Sequence, residues 1–466
     1  MSEAFQKKPF SGPVGSSSSP FPSAQEILRN NNETVPPPLD LETFEPADIE
    51  DIDFSRYTSP EFAQSEMDKI WCKVWQWACR EEHIPEVGDY MVYDIGPYSV
   101  IVVRTEEDKI KGYYNACLHR GTRLCGFASE GSAEAFVCPY HGWSWHIDGR
   151  LKDIPSDWDF AHVQKETYAL PEVQVDSWNG FVFINMDLEG PPLLDYLQVL
   201  PEHFVNWNLK DRYIATHIQK EIPCNWKAAC EAFMENYHTR VTHPQLLSTS
   251  SEPSTQYDLF SDHVTRFYVL FGMQSPHLEE QLSEQGILDQ MLVSDSSVLD
   301  QDVLKVPEDG TARRTLTKFM RDLFKNTYDM ETSHLSDSEI LDSIQYNLFP
   351  NMFLFTGLSL PMIYRFRPLG TDPHSSLFDL VFLAPVPRSG ERPAPADIIH
   401  LGKEESFTTI KSMDQNMARI YDQDTGNLEN QQLGFKTSKK PGMTLGNYQE
   451  SRIRHFHKVI DKYFTK

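Results

Sequence analysis

The stretch that decides the fold is residues 135–149, AFVCPYHGWSWHIDG, in which two residues separate Cys138 from His141. Upstream, the stretch NACLHRGTRLC separates Cys117 from His119 by one residue. Two thiolates and two imidazoles in this order suit either a tetrahedral zinc site or a [2Fe–2S] cluster in which two cysteines hold one iron and two histidines the other. The ligand types alone leave both alternatives open.

The residues around these ligands favour the cluster. CLHRG and CPYHGW resemble the paired cluster-binding loops of Rieske proteins, since Gly121 and Gly142 allow backbone N–H groups close to the sulfides and Pro139 fixes a turn. The competing interpretation is a zinc knuckle or a set of scattered core residues. The resemblance implies that four side chains ligate a Rieske [2Fe–2S] cluster, those of Cys117, His119, Cys138 and His141.

A second group of metal-ligand residues lies downstream, in CNWKAACEAFMENYHTRVTHP. On a continuous helix Glu231, Glu235 and His238 fall at i, i+4 and i+7 and form one stripe. His243 precedes Pro244, which disfavours the α conformation, so the helix is expected to end there and let the second imidazole turn back toward the first. Two such histidines and one carboxylate form the triad that binds non-haem Fe(II) and leaves one face of the metal open.

The segment NWKxxxExxxExYHxxxxH resembles the mononuclear-iron segment of the catalytic (alpha) subunits of Rieske non-haem iron oxygenases, the aromatic-ring-hydroxylating dioxygenase family. The resemblance extends from about residue 50 to the end of the chain. It implies that His238 and His243 bind iron with an aspartate near the C-terminus. YDQDTGNLENQQLGF offers Asp424, which matches the family better, and Asp422, its main competitor.

Two glutamates depart from the family pattern. The family places an aspartate three residues before the first iron histidine, where it links that histidine to a cluster histidine of the neighbouring subunit; this chain has Glu235, as members that oxidise quaternary ammonium compounds do. Glu231 stands where the family often has asparagine, and is expected to support the iron site or to contact the substrate. His455 and His457, on the C-terminal helix, are expected at the surface.

Composition limits the classes of partner. The chain has 466 residues and a formal charge of −26, which argues against nucleic acid and anionic membranes as partners because both favour basic surfaces. Seven cysteines are too few for a disulfide scaffold, and no segment has the length of a membrane span, so we expect a cytoplasmic protein. A small-molecule substrate or a basic protein partner fits this surface better.

The chain divides into three parts. Residues 1–45 are rich in Ser, Pro and Asn and are expected to form a disordered or extended tail. Residues 46–190 combine a helix with short strands, which predicts a small all-β Rieske domain. Residues 191–466 mix strands and helices, so the fold class is α+β, and the resemblance implies a catalytic domain with an antiparallel sheet and long helices of the helix-grip, START-like kind.

The resemblance implies a terminal oxygenase that uses O2 and NADH-derived electrons from a flavin reductase, directly or through a ferredoxin. It implies a homotrimer, with the presence of a beta subunit left open. The Phe- and Leu-rich C-terminal domain favours hydroxylation or dihydroxylation of an apolar or aromatic substrate; Glu235 favours the alternative, monooxygenation of a quaternary ammonium or N-methyl compound. A Rieske electron carrier or a zinc-bearing binding protein is the alternative from another class.

Overall fold

The computed structural model describes residues 19–45, 49–127, 129–294, 304–358, 361–386 and 391–465. Residues 1–18 of the predicted tail therefore lie outside the described residues. Within the described part, strands form two large sheets and two small ones. Helices gather around the second large sheet, so the α+β fold class predicted for the chain is confirmed.

The first large sheet and a three-stranded sheet build a β domain. The seven-stranded sheet has the order β2-β11-β10-β5-β4-β3-β6 and is antiparallel throughout, and β7-β8-β9 form the small sheet beside it. Both cluster motifs belong to this domain. Its strands are β2 (Gln76–Arg80), β3 (Asp89–Ile95), β4 (Tyr98–Glu106), β5 (Lys109–Tyr114), β6 (Glu130–Ser132), β7 (Ala135–Val137), β8 (Ser144–His146), β9 (Leu151–Asp153), β10 (Glu172–Trp178) and β11 (Phe181–Asn185).

The C-terminal domain is built on an eight-stranded sheet. Its order is β13-β14-β15-β16-β17-β18-β12-β19, and every neighbouring pair is antiparallel except β12 with β19. The predicted antiparallel sheet is therefore confirmed except for its edge strand β19, which is parallel to β12. The strands are β12 (Arg212–Ile222), β13 (Gln256–Leu259), β14 (Val264–Val269), β15 (Ser343–Leu348), β16 (Met352–Thr356), β17 (Met362–Pro368), β18 (Ser376–Pro385) and β19 (Ile398–Leu401), and a separate pair joins β1 (Ile52–Asp53) to β20 (Gly442–Met443).

Helices cover this sheet and carry the candidate iron ligands. Within the described part of the chain, no helix combines the length and the apolarity that crossing a bilayer requires. The helices are α1 (Ala24–Asn30), α2 (Pro37–Asp40), α3 (Ser55–Thr58), α4 (Pro60–Glu66), α5 (Leu193–Leu197), α6 (Leu200–His203), α7 (Trp226–Glu231), α8 (Thr239–Thr242), α9 (Glu284–Ser294), α10 (Ala312–Tyr328), α11 (Asp337–Leu341), α12 (Gln415–Gly426), α13 (Leu428–Thr437) and α14 (Ser451–Thr465), with a π-helical turn at Met67–Trp71.

Residues 19–45 lie against the C-terminal domain. Helix α1 buries Ala24 and Leu28, and its Gln25 Nε2 donates to Gln256 Oε1 at 2.9 Å. Glu33 accepts from Arg313 Nε at 2.9 Å, an ion pair that is almost fully buried. This part of the predicted tail thus contains a helix and buried side chains, because a few apolar residues and buried polar partners compensate for its Ser- and Pro-rich composition.

The helical segment before the β domain packs on the C-terminal domain. The Trp71 ring meets that of Trp226 on α7 edge to face, with centroids 4.9 Å apart. Tyr57, on α3, is fully buried beside the same helix. The segment between residues 55 and 71 therefore helps to hold the helix that leads to the candidate iron site.

A buried group of charged side chains connects the two domains. Arg365 on β17 donates from Nη1 to the carbonyl oxygens of Trp77 and Ala78 on β2, at 2.8 and 3.0 Å. Its Nε bonds Asp379 Oδ2 at 3.0 Å, and the Asp379 side chain has no exposure. Burial alone would raise the pKa of Asp379, but the two arginines at 365 and 367 hold that pKa well below its usual range. Removing one partner of such a buried pair typically lowers the free energy of unfolding by about 3–5 kcal/mol. This group of charged residues therefore fixes the relative orientation of the two domains.

Candidate metal centres

The two cluster motifs form loops with the same backbone geometry. In each loop the glycine N–H donates to the cysteine carbonyl, at 2.9 Å from Gly121 to Cys117 and at 3.0 Å from Gly142 to Cys138. Both glycines have φ of +78°, a conformation that side chains with a Cβ rarely adopt. The paired glycines predicted from the sequence are therefore required by the turns themselves.

The four side chains of these loops come together at one edge of the β domain. The rings of His119 and His141 have centroids 4.6 Å apart, and His119 stacks on Trp143 at 5.1 Å. His119 Nδ1 is buried yet has no hydrogen-bond partner among the residues that the structure describes, as a nitrogen reserved for a metal would be. His141, by contrast, is exposed.

The two cysteines of these loops differ in how their surroundings affect ionisation. Burial opposes ionisation of Cys138, but the backbone N–H groups of Tyr140 and His141 donate to its sulfur and leave its pKa below the usual value. At Cys117 burial dominates and raises the pKa, although the His119 N–H lies 3.4 Å from the sulfur. Backbone N–H groups aimed at sulfur are what a Rieske cluster needs, so these residues fit that group.

The predicted continuous helix between Glu231 and His243 is interrupted. Helix α7 ends at Glu231, irregular turns follow, and a short α8 spans Thr239–Thr242. Tertiary hydrogen bonds cause the break: the Asn236 N–H donates to Tyr257 Oη at 3.0 Å, and its side-chain amide donates to Thr255 Oγ1 at 2.9 Å. The single stripe predicted for Glu231, Glu235 and His238 is therefore wrong.

Glu235 hydrogen-bonds both to the backbone of the turn before α8 and to the ring of His238, the first candidate iron histidine. Its Oε2 accepts the backbone N–H groups of Tyr237 and His238, as an N-cap residue does. Its Oε1 lies 2.7 Å from His238 Nδ1. The other ring nitrogen of His238 is thereby directed toward Asp424, at 3.4 Å from Oδ1.

The structure brings His238, His243 and Asp424 into one group. His243 Nε2 lies 2.6 Å from Asp424 Oδ1, and one ligand atom of each of the three residues lies within 4.8 Å of the others. His243 follows the last residue of α8 with φ of −124°, as the proline after it requires. Two imidazoles and one carboxylate fit a mononuclear iron whose remaining positions are open.

The pKa values of this group reflect mutual hydrogen bonding. Burial would raise the pKa of Asp424, but the hydrogen bonds from the two histidines outweigh it and lower the pKa. Burial would lower the pKa of His238, yet the negative charge of Glu235 and the bond to Asp424 raise it to about 10. The protonated, cationic form of His238 is thus favoured.

Asp424 and Asp422 lie on different faces of α12. Asp424 is buried on the same face as Tyr421 and Ala418, three and six residues earlier. The Asp422 carboxylate accepts instead from Ser406 Oγ at 2.5 Å and from the Phe407 N–H at 2.9 Å. The geometry therefore selects Asp424 over its competitor as the third ligand-type residue.

Gln423 supports the second histidine, a contact that the sequence analysis missed. Its Oε1 lies 2.9 Å from His243 Nδ1 and also accepts from Gln245 Nε2 at 2.7 Å. Acceptance by an amide oxygen fixes the tautomer that leaves His243 Nε2 free for a metal. The signal in the sequence was its position next to Asp424, which puts it on the adjoining helix face.

A cavity of about 210 Å³ opens beside the ligand group. It is half open to solvent and is lined by His238 and Asp424 together with three further carboxylates, those of Glu231, Glu235 and Glu450. Apolar side chains complete the wall, including Leu428, Met443, Leu445 and Ile453. A negatively charged cavity therefore adjoins the candidate iron site.

Glu231 lines that cavity but makes its hydrogen bonds elsewhere. Its Oε1 accepts from Tyr57 Oη at 2.8 Å and lies 2.8 Å from His457 Nε2. The expected surface position of His457 is wrong: the residue is 1% exposed, because α14 turns this side toward α3 and α7. His455 is half-buried and bonds the Ser261 carbonyl at 2.8 Å, so it is not a free surface residue either.

An aromatic shell packs on the sheet side of Asp424. Tyr364 and Tyr421 join their hydroxyl groups at 2.7 Å, and the Asp424 charge contributes to raising the pKa of both phenols above its usual value, after the larger effect of burial. Phe233 contacts both tyrosine rings, with centroids 5.3 and 6.3 Å away. Phe233 therefore belongs to this shell, which lies between the sheet and the ligand group.

Comparison with known proteins agrees with this geometry. A family model described as "Ring hydroxylating alpha subunit (catalytic domain)" matches residues 204–466, and one described as "Rieske [2Fe-2S] domain" matches residues 74–164. The glycine betaine monooxygenase oxygenase subunit of Pseudomonas aeruginosa is 31% identical over 42% of this chain and 45% of its own length. The biphenyl 2,3-dioxygenase alpha subunit of Rhodococcus jostii is 33% identical over 40% and 42%. This chain thus matches under half the length of these curated relatives.

Solved structures share the fold over most of both chains. A quaternary ammonium Rieske monooxygenase matches with a TM-score of 0.61 at 17% identity, over 89% of this chain and 95% of the other. A naphthalene 1,2-dioxygenase mutant bound to phenanthrene matches with a TM-score of 0.60 at 20% identity, over 89% and 92%. The resemblance predicted from the cysteine and histidine motifs is confirmed, and the chain belongs to the ring hydroxylating alpha subunit family, with a Rieske [2Fe–2S] domain followed by a catalytic domain that binds mononuclear iron in this family.

Proposed function

We propose that the protein is the terminal oxygenase component of a multicomponent Rieske oxygenase. The observation that carries the proposal is the presence of two complementary donor sets in one chain, a Cys/His pair of loops and the group of His238, His243 and Asp424. When bound, a Rieske cluster supplies single electrons and a mononuclear iron supplies open positions for O2. Such a protein hydroxylates or dihydroxylates an organic substrate with NADH-derived electrons.

The protein's own residues prepare the iron site. Glu235 and Gln423 each hold one Nδ1 of the two histidines, which keeps both Nε2 atoms directed at Asp424. Because these supports are hydrogen-bonded in turn, the ligand atoms keep their positions with little reorganisation. The aromatic shell excludes water from the sheet side of the site.

Electrons would cross between subunits of a homotrimer. The cluster edge exposes His141 and Tyr140, while the iron edge exposes Tyr237 and Val241, the latter 83% accessible. Two different exposed surfaces suit a head-to-tail contact that closes into a ring. In that ring Glu235 would accept a hydrogen bond from His141 or His119 of the next chain while holding its own His238.

The acidic surface suits the electron donors. A formal charge of −26 favours transient docking of a partly basic NADH-dependent flavin reductase or ferredoxin. None of the seven cysteines, all of which lie in the described residues, forms a disulfide, which fits a cytoplasmic protein.

The leading substrate class is an apolar or aromatic molecule. Phe233, Tyr364 and Tyr421, joined by Phe366 and Phe378, present ring surfaces beside Asp424. Biphenyl and benzene, named for dioxygenase relatives, are the first compounds to test.

A second substrate class is favoured by the charge of the cavity. Four carboxylates, from Glu231, Glu235, Asp424 and Glu450, line the space next to the ligand group. Clustered carboxylates attract cationic ligands such as quaternary ammonium groups. Glycine betaine and carnitine, named for monooxygenase relatives, are the corresponding compounds.

One experiment tests the oxygenase function and the substrate class together. The full chain, reconstituted with iron and sulfide, is supplied with NADH and a flavin reductase, and O2 consumption and product are measured for each compound. Product whose formation consumes O2 supports the proposal, and the substrate that yields it selects between the two classes. A cluster that is reduced but never reoxidised by O2 with any substrate would favour an electron carrier, and bound zinc without a chromophore would favour a binding protein.

A further inference from the structure

Three buried polar side chains contact one another next to the cavity of about 210 Å³ that adjoins the candidate iron site, which is called the iron cavity below. Tyr57 Oη lies 2.8 Å from Glu231 Oε1 and 2.7 Å from His457 Nε2, and His457 Nε2 lies 2.8 Å from the same Glu231 oxygen. All three residues are at most 4% exposed. They come from α3, α7 and α14, so the contact depends on the tertiary fold.

The hydrogens available to these contacts define two protonation states. The Tyr57 hydroxyl has one hydrogen, and an ionised Glu231 has none, so the contact between His457 Nε2 and Glu231 requires a proton on one of these two atoms. His457 Nδ1 is buried without a partner among the described residues. The group can therefore take up one more proton at His457 without breaking a hydrogen bond.

The surroundings lower the pKa of His457 on balance. Burial lowers it most, the Glu231 carboxylate raises it, and Arg56 and Lys227 lower it further. Burial raises the pKa of Tyr57 well above its usual value, with Glu231 and Glu66 adding to the effect, so the phenol stays protonated. On the cavity side, burial first and then the charges of Glu235 and Glu231 raise the pKa of Glu450.

Glu231 connects the group to the cavity. Its side chain lines the same space as His238 and Asp424, whereas Tyr57 and His457 do not reach that space. Glu231 makes no described hydrogen bond to the ligand group, so it is not a support of the iron ligands.

We propose that Tyr57, Glu231 and His457 form a proton-holding site that serves the iron cavity through the Glu231 carboxylate. The inference rests on the proposed oxygenase function, which consumes protons together with electrons when O2 is reduced. In the transfer the N–H bond at Nε2 of the His457 imidazolium breaks, which leaves a neutral ring protonated at Nδ1, as an O–H bond forms on Glu231; that O–H bond then breaks as the proton passes to water in the cavity. Tyr57 orients both partners and keeps its own hydrogen.

The test begins with Glu231→Gln, which keeps the shape of the side chain but removes its capacity to accept a proton. In the holoenzyme, iron and sulfide content and the cluster EPR signal should remain those of the wild type. Turnover should fall about 100-fold, as for loss of a general acid or base, and its pH profile should change shape. A Tyr57→Phe variant, which keeps the carboxylate and the imidazole, should lose less.

A matched control is Glu252→Gln. Glu252 is another buried glutamate that contacts a histidine, with its Oε1 2.5 Å from His277 Nδ1, and it does not line the cavity. Its variant should keep both the turnover and the pH profile. If the two glutamine variants behave alike, or if Glu231→Gln loses iron, the carboxylate has a structural role and the proposal is overturned.

A second readout does not depend on turnover. The ring nitrogens of His457 are followed by NMR against pH in the iron-free protein, with the signal identified by its loss in His457→Gln. Glu231→Gln should lower the pH at which His457 titrates; an unchanged titration overturns the proton-holding site even if the oxygenase function stands. Conversely, a shifted titration in a protein that never turns over would contradict the oxygenase function alone. Should Glu231→Gln fail to fold, Tyr57→Phe carries the same titration test, with a shift expected and its absence contradictory.

Discussion

The two metal sites are built in opposite ways. The four candidate cluster ligands lie within 25 residues of each other, on two loops of one small sheet that repeat the same turn. The candidate iron ligands include Asp424, 181 residues after His243, and reach each other across α8 and α12. The first site is also exposed at His141, whereas the second is 3% exposed at His243 and 8% at Asp424. An exposed first site and a largely buried second site are the arrangement expected where electrons enter one site from a partner and are used at the other.

The largest effect is expected from removing a cluster ligand. Cys138→Ser should lose the cluster, its visible spectrum and essentially all turnover, because no electron can then reach the second site. About one iron of about three should remain per chain. Cys125→Ser, which changes a cysteine outside the two motifs, is the control and should keep the spectrum. Retention of the full cluster signal in Cys138→Ser would contradict the ligand assignment.

The next largest effect is expected from removing Asp424, the candidate iron ligand that lies far from the two histidines in the sequence. Asp424→Ala should keep the cluster, with about two irons per chain, and reduce turnover at least ~100-fold, because His238 and His243 lose the carboxylate that joins them. Asp422→Ala is the matched variant two residues away; it should retain the second iron and lose only the contacts to Ser406 and Phe407. If Asp422→Ala lost the second iron instead, the assignment would be reversed. Iron and sulfide assays on both variants decide this.

This difference explains what the sequence could and could not predict. The cluster motif is local, so its residue spacing alone suggested its four ligands, and its glycines proved to be required by positive φ. The iron site needed the family resemblance to select Asp424, because no local pattern links α8 to α12. The interruption after Glu231 could not be predicted, since Tyr257 and Thr255, which bond Asn236, belong to a segment about twenty residues away.

The C-terminal helix shows the same limit. The basic face of the C-terminal helix suggested a surface position for His457, but its partners Tyr57 and Glu231 lie far from it in the sequence. In the same way, the polar composition of the N-terminal residues hid Glu33, whose partner Arg313 lies 280 residues later. Buried polar residues are placed by such partners, and the partners are visible only in three dimensions.

A smaller but more specific effect is expected at the residue that would join the two sites. Glu235→Ala should leave both metals bound and lower turnover about 100-fold, because His238 loses its Nδ1 partner and the link toward the next subunit's cluster is removed. Rapid mixing of the reduced variant with O2 and substrate should show a cluster that reoxidises slowly. Glu252→Gln, which changes a buried carboxylate outside this cavity, should reoxidise at the wild-type rate. Equal rates in Glu235→Ala and wild type would contradict the linking role.

The smallest predicted effect compares a buried histidine of the catalytic domain with an exposed one of the β domain. His203 accepts from the Tyr346 hydroxyl at 2.9 Å, and Tyr346 in turn accepts from Arg266 Nη1 at 3.2 Å. Burial, and then the Arg266 charge, lower the pKa of His203 to about 4, compared with an ordinary value near 6.5. The neutral form is therefore favoured in the folded state, so its contribution to stability is complete above pH ~6.5 and decreases as the pH falls toward ~4.

The slope of this decrease is at most about 1.4 kcal/mol per pH unit for one histidine. His203→Gln, which removes the titrating group, should make the free energy of unfolding less dependent on pH between about 6.5 and 4 than that of the wild type, by about 1–3 kcal/mol across the window. His146→Gln, an exposed position on β8, should keep the wild-type pH dependence. Denaturant unfolding at several pH values measures all three proteins. Parallel curves for His203→Gln and wild type would mean that the folded protein accepts a charged His203, and that the Arg266 and Tyr346 contacts do not keep this histidine neutral.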